Sequence, residues 1–394
     1  MRYEIIDMRQ LISKGLLKTI FTNAKLPMLN MTSLTFIFRL SSLVFGRLIL
    51  SPISCLLSLV FFLQSCEKEP AKNKQLPDAK TQKVWIVNEG LFNFGNASVD
   101  VYQPDSQKVF NDVYATANGK TLGDVAQSIT LKGSSVYVVV NNSGKIVVLN
   151  KTTFKEEGII NIPQSSPRYL HFVKDDLAYV TELYAKKIWL INPLTKTLVD
   201  TIATAGWTEQ IVAKGNELYI AQRTRLNDTY VANVLVINTT TKQVVNTITL
   251  PSEPNSMVLK DNTVFVLCSA DNLLATNASL VKINTDTKAI STLEFAAGKK
   301  PGLLRLDAKN NRLLWRDGDV FQMPVSSIAL AASVLIAGNG KNIYTMNIDP
   351  NNADVYIADA HDYVQASTVY RHATNGDLIQ SFKAGVICTE FGFE

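Results

Sequence analysis

Histidine is scarce in this 394-residue chain: His171, His361 and His372 are the only three. Cysteine is nearly as scarce, at four, and two of these, Cys55 and Cys66, lie within and directly after an apolar leader. No Cys/His spacing suggests a metal site. Cys268 and Cys388 each sit in an apolar run and read as buried thiols. The chain has no Gly-x-Ser-x-Gly, no His-Glu-x-x-His and no glycine-rich loop opening onto a helix, so it lacks those signatures of catalysis and phosphate binding. No repeated unit carries the 3.6-residue apolar period of a helix, which excludes a helical solenoid. An excess of charge is also missing. Residues 1–65 hold seven of the 39 Lys and Arg and two of the 34 acids, leaving 32 of each sign in the rest. The basic balance is a leader effect and points to no nucleic-acid partner.

What is present is a repeat. Pro167 to Gln210 reads PRYLHFV-KDD-LAYVTELY-AK-KIWLINP-LTK-TLVDTIA-TAGWTEQ, four short apolar runs separated by polar turns. Leu177, Tyr179 and Thr181 alternate onto one face of an extended chain, as do Ile188, Leu190 and Asn192, which is the period of a strand. The turn after the third run recurs as VYQPDSQKV, VLNKTTFKE, LINPLTKTL, VINTTTKQV, KINTDTKAI and YRHATNGDL. Its anchors are Gln103, Asn150, Asn192, Asn238, Asn284 and His372, spaced 47, 42, 46, 46 and 88 apart, and 88 is two steps. One copy, near Ser326, is degenerate. Seven units of four strands with a period in the forties predict an all-β, seven-bladed β-propeller of antiparallel blades.

The units fall at 83–120, 124–166, 167–207, 208–251, 254–297, 301–338 and 343–384. The first begins at its second strand, Lys83-Val-Trp-Ile-Val, and Gly385 onward is a first strand with no followers. The C-terminal strand, within 386–394, is therefore expected to complete the N-terminal blade and remove two open edges.

Residues 1–65 read as a lipoprotein leader, 66–82 as a lipidated cysteine with its linker, and 83–394 as the propeller. Arg39 and Arg47 precede an apolar run from Cys55 to Leu63, followed by Leu63-Gln64-Ser65-Cys66. Leu-x-Ser-Cys resembles a bacterial lipobox with Cys66 as the lipidated residue. An uncleaved membrane anchor is the alternative, although the last run is short for a span. The region before about Met31 is long for a signal peptide, so the true start is expected at Met28 or Met31. Glu67 to Lys83 is a polar, Pro- and Lys-containing tether. Glu67 and Glu69 resemble the acidic signal that sends lipoproteins to the outer face.

Turns from first to second strand and from third to fourth are short and share one face. The opposite face carries long loops, NEGLFNFGNAS, AQRTRLNDTYVAN, SADNLLATNAS and ADAHDYVQAS, and the links between blades. Its amides include Asn88, Asn96, Gln127, Asn141, Asn142, Gln210 and Asn255. Its aromatics are Phe92, Phe94, Tyr169, Tyr184, Trp207 and Tyr363, and its charged or titratable residues include Glu89, Arg168, Glu182, Glu209, Arg223, His361 and Asp362. Amides among aromatics suit a large, mostly neutral ligand rich in amide or hydroxyl groups. The competing reading of each is structural: Asn forms turns, and Trp207 packs between blades. No cofactor or metal is expected, and the residues point to binding rather than catalysis.

The units resemble YncE-like seven-bladed propellers. NEGLFNFGNAS, LGDVAQS, VVNNSGKI, SPRYLHF, VTELY and GWTEQ resemble, more narrowly, the BtuG-type surface lipoproteins of Bacteroidetes. That resemblance is strongest from Val87 to Gln210. It implies capture of cobalamin and related corrinoids at the outer membrane and delivery to a TonB-dependent transporter. Two further readings stay open: a propeller for another ligand or an interaction module of an uptake complex, and a lactonase or other hydrolase.

Overall fold

The computed structural model describes residues 75–223, 230–272 and 274–394; the stretch Leu63 to Cys66 that resembles a lipobox lies outside them. These residues hold 28 strands, β1 to β28 in chain order from Val84 to Phe393, in seven antiparallel sheets of four. The innermost strands are β4 (Ala126–Lys132), β8 (Pro167–Lys174), β12 (Trp207–Lys214), β16 (Pro254–Lys260), β20 (Gly302–Asp307), β24 (Ile343–Ile348) and β28 (Cys388–Phe393). The expected ring closure is present: β28 pairs with β1 (Val84–Asn88), from Val84 opposite Phe393 to Asn88 opposite Cys388. Lys83 and Trp85 both bond the carboxylate of Glu394, at 3.2 and 3.0 Å. Close approach there requires a glycine, since a Cβ on Gly392 would lie 2.7 Å from the Leu131 side chain.

The repeating turn has a physical basis. The Oδ1 of Asn150, Asn192, Asn238 and Asn284 each accepts from the backbone N–H groups two and three residues on, at 2.9–3.1 Å. Four residues after every anchor the chain turns left-handed, at Gln107, Phe154, Lys196, Lys242, Lys288 and Gly376. The asparagine thus satisfies donors that the tight turn leaves unpaired. Asn238→Ala is expected to cost about 1 kcal/mol, read as a lowered urea midpoint at unchanged slope. An unaltered midpoint would remove the asparagine from this role.

Each innermost strand has one free edge facing the axis, and side chains of the preceding blade seal much of it. Ser128 and Thr130 of β4 donate to the carbonyls of Arg168 and Leu170 on β8. Gln210 of β12 accepts from Met257 N on β16 at 2.7 Å, and Ser256 of β16 accepts from Leu304 N on β20 at 2.8 Å. Asn347 of β24 donates to Phe391 O on β28, and Glu390 of β28 accepts from Ile129 N on β4 at 3.3 Å. Buried main-chain groups need such partners, and here side chains of one blade supply them to the next. Between blades lie apolar clusters, including one around Trp85, Val138 and Phe154 and another around Tyr102, Tyr356 and Phe391. Cys268 and Cys388 are free thiols buried in this packing.

Two features depart from the sequence reading. The first blade ends in a three-residue strand, Lys108–Phe110, followed by a helix, α1 (Val113–Asn118). Asp112 caps α1 by accepting from Ala115 N, Gly119 ends it at φ 69°, and Val113, Tyr114 and Ala117 are buried. Six residues are too few to show a helical period. Second, the outer strands of five blades bulge at Glu157, Val199, Val245, Leu335 and Ile379. An extra residue twists an edge away from sheet-to-sheet pairing, so the exposed Val199 and Val245 need no covering partner.

Candidate functional site

All seven innermost strands carry a bulge near the end that joins the long-loop face. The extra residues are Thr389, Gln127, Arg168 with Tyr169, Glu209 with Gln210, Asn255, Leu303 with Leu304, and Tyr344. A bulge re-aims a side chain out of the pleat, and the seven together form a ring at the mouth of the axial channel.

A ladder of charge crosses four blades at this mouth. Gln127 accepts from the Arg168 guanidinium, whose Nε lies 2.9 Å from Glu209. Glu209 also pairs with Arg223 at 3.1 Å, and Arg223 reaches Glu253 at 3.5 Å. Neighbouring acids, Glu209 foremost and Glu89 further off, hold Arg168 charged against the cost of its burial. Glu89 in turn accepts from the Tyr344 hydroxyl at 3.0 Å. Glu253 and Tyr344 are mouth residues that the sequence reading missed. Glu253 lies in the link SEPNS at the place that Trp207 holds in GWTEQ, so the repeat gave no signal of a carboxylate there.

Around this ladder stand exposed rings. Phe94 is 73% exposed, Tyr184 51% and Phe92 37%. Tyr184 meets Trp207 edge to face at 5.3 Å, and the Arg223 guanidinium lies 5.9 Å from the Trp207 ring centre. Tyr363 meets Tyr344 edge to face at 5.8 Å, so a second aromatic pair stands across blade seven.

Most of the predicted amides have main-chain work instead. Asn141 donates to Pro167 O, Gln210 accepts from Met257 N, and Asn255 donates to Pro301 O and the Ser269 hydroxyl. Asn96 accepts from Leu91 N within its own loop. Asn88 is fully buried and donates to Ser98. Asn142 stays exposed, bonded to Asn93 and Asp124. Glu182 does not work at the mouth: it is buried and accepts from Ser166 N, Tyr184 N and the Trp189 indole.

Blade seven adds a linear contact. His361 Nδ1 lies 3.1 Å from Asp359 and its Nε2 2.9 Å from the Thr368 hydroxyl, to which Lys383 donates at 2.8 Å. Asp362 is exposed and caps the following turn, and the N–H groups of Gln365 and Val364 hold its carboxyl below the usual range. Among the described residues no group of three His, Cys, Asp or Glu is arranged to hold a metal ion.

Several solved propellers share this fold. A quinonprotein alcohol dehydrogenase-like protein from Bacteroides thetaiotaomicron is 15% identical with a TM-score of 0.62, covering 80% of this chain and 79% of that one. A putative 6-phosphogluconolactonase from Bacteroides fragilis is 10% identical with a TM-score of 0.57, covering 81% and 100%. Hydrazine synthase from Kuenenia stuttgartiensis is 17% identical with a TM-score of 0.56, covering 70% and 90%. Identities this low carry the fold alone. No curated protein sequence matches the chain. A family model does, over residues 82–385, and the chain belongs to that family, the domain of unknown function DUF5074.

Proposed function

We propose that the long-loop face captures a broad, mostly uncharged small molecule fringed with amides or hydroxyls, of the corrinoid class. The observation that carries this reading is the mouth itself. Exposed aromatic rings surround a ladder whose charges are already paired with one another, so the surface offers flat apolar contact without demanding a charged ligand. Bulged strands hold Gln127, Arg168 and Glu209 of the ladder, so little ordering of the polar floor is left for binding to impose. In this proposal Cys66 carries the lipid anchor, the protein sits at the outer membrane facing outward, and a TonB-dependent transporter receives the ligand. The resemblance in NEGLFNFGNAS, VTELY and GWTEQ supports these assignments.

Cyanocobalamin mixed with residues 67–394 is expected to co-migrate in gel filtration, carrying red absorbance with the protein. Colourless protein at saturating ligand rejects the corrinoid assignment. The double variant Phe94→Ala/Tyr184→Ala is expected to weaken binding at least tenfold, about 1.4 kcal/mol, with its unfolding midpoint unchanged because both rings are exposed. Full affinity in that variant would move the site elsewhere.

The Asp359–His361–Thr368 series favours the hydrolase reading, because it places a carboxylate, an imidazole and a hydroxyl in line. Turnover of a nitrophenyl ester or a lactone that disappears in His361→Ala would establish it.

A further inference from the structure

Strands β4, β8, β12, β16, β20 and β28 line an open cavity of about 220 Å³ on the propeller axis. Its polar lining is Tyr169, His171, Gln210, Arg305 and Glu390, together with the Ser128 and Thr130 hydroxyls. Those two hydroxyls are committed to the carbonyls of β8. Gln210 has its oxygen engaged by Met257 N, which leaves its amide N–H groups to the cavity. Arg305 donates to Leu304 O through one nitrogen and brings a positive charge to the lining. Hydrogen-bond donors therefore predominate, and a matching ligand group must accept.

We infer that this axial cavity binds a small carboxylate, held by the Arg305 guanidinium and the Gln210 amide, with Glu390 sharing a proton with it. The site lies on the axis just inside the mouth, with Tyr169 and Gln210 of the bulge ring in its lining, and it stands whatever ligand the long loops take. Three points support it. Arg305 and Glu390 belong to different blades yet line the same space. Glu390 makes one hydrogen bond, to Ile129 N at 3.3 Å, so most of its carboxyl is left to the cavity. Burial pushes that carboxyl up to about 7, although Arg305 pulls the other way.

The protonation states set the sign. Burial keeps His171 below its ordinary value, so the imidazole is neutral near pH 7. The other titratable group that β8 brings to the lining is the Tyr169 phenol. Cys388, two residues back on β28, is pushed well up by burial and stays a thiol. Strands β4, β12 and β16 bring no charged group to the lining, and β24 brings no residue at all. Protonated Glu390 leaves the cavity with the net positive charge of Arg305 and one more donor. Ionised Glu390 cancels that charge and repels an incoming anion. Carboxylate binding is thus linked to uptake of one proton, and affinity falls as pH rises through about 7.

Propionate titrated calorimetrically into the protein in carboxylate-free buffer tests this. The expected Kd is on the order of 1 mM at about pH 6, weakening about tenfold by about pH 8. Glu390→Gln should bind at both pH values and lose the pH dependence, because glutamine mimics the protonated acid. Arg305→Met should lose binding, whereas Arg305→Lys should keep part of it, and circular dichroism confirms that each is folded. The inference is overturned by absence of binding at about ten times that concentration, by equal affinity at both pH values, or by undiminished binding in folded Arg305→Met.

Discussion

A protein ending at Ile387 is expected to lose cooperative unfolding altogether. Such a chain keeps every strand of blades two to seven but lacks β28. Strand β1 loses its inner partner over five residues. Phe391 and Cys388, both buried, leave the cluster that contains Tyr102 and Tyr356. Burial of two such side chains alone contributes about 3–5 kcal/mol. Lys83 and Trp85 lose Glu394, and Lys83 is only 2% exposed, so its charge would be left buried without that carboxylate. β4 loses its seal from Thr389 and Glu390 as well. Together these losses match or exceed the usual 5–15 kcal/mol of a domain. Thermal unfolding by circular dichroism and limited proteolysis read the result. A truncated chain melting within about 2 °C of the parent, a shift worth only about 1 kcal/mol for a domain of this size, would show that the ring does not depend on its last strand.

The second large effect lies at the mouth. Glu209→Gln removes the carboxylate shared by Arg168 and Arg223. Arg223 retains Glu253 at 3.5 Å, but Arg168 loses its ion-pair partner while its side chain is only 11% exposed. Breaking one partner of a buried pair costs about 3–5 kcal/mol, and the lower end is expected because the substituted amide would still accept a hydrogen bond. Replacing both members, Arg168→Met with Glu209→Met, should cost less than the two single changes added together, since no charge is stranded. Chemical denaturation of the four proteins gives the coupling. Strict additivity would mean that the ladder is decorative, and the proposed preorganisation of the mouth would lose its basis.

How much was legible depends on what each residue does with its backbone. The asparagine anchors announced the fold because one turn geometry, an asparagine at its start and a left-handed residue four places on, recurs from blade to blade. Ring closure was legible because a missing first strand and a surplus one can only meet. The bulges were not, since one extra residue in a strand is invisible to an alternating pattern. They decide that Tyr344 faces the mouth. The amides misled for a related reason. Asn141, Gln210 and Asn255 have the same chemistry whether they meet a ligand or a carbonyl of the next blade, and only the free inner edges of the strands reveal the demand. Arg168, Glu209 and Arg223 were picked out one by one as charges of the long-loop face but not as a ladder, because the ladder runs from blade to blade.

The closing strand also orders events in time. β1 is among the first parts of the propeller to be synthesised and the last to be completed, because its inner neighbour is the final strand of the ring. Until Cys388–Phe393 has left the ribosome, the first blade is a three-stranded sheet and the ring is an open arc with a raw edge at each end. Loop closure across about 300 residues must then precede the last cooperative step. A chain built this way stays incompletely folded throughout its synthesis. Any process that needs an unfolded polypeptide, such as threading through a membrane pore, therefore has the whole of translation in which to begin.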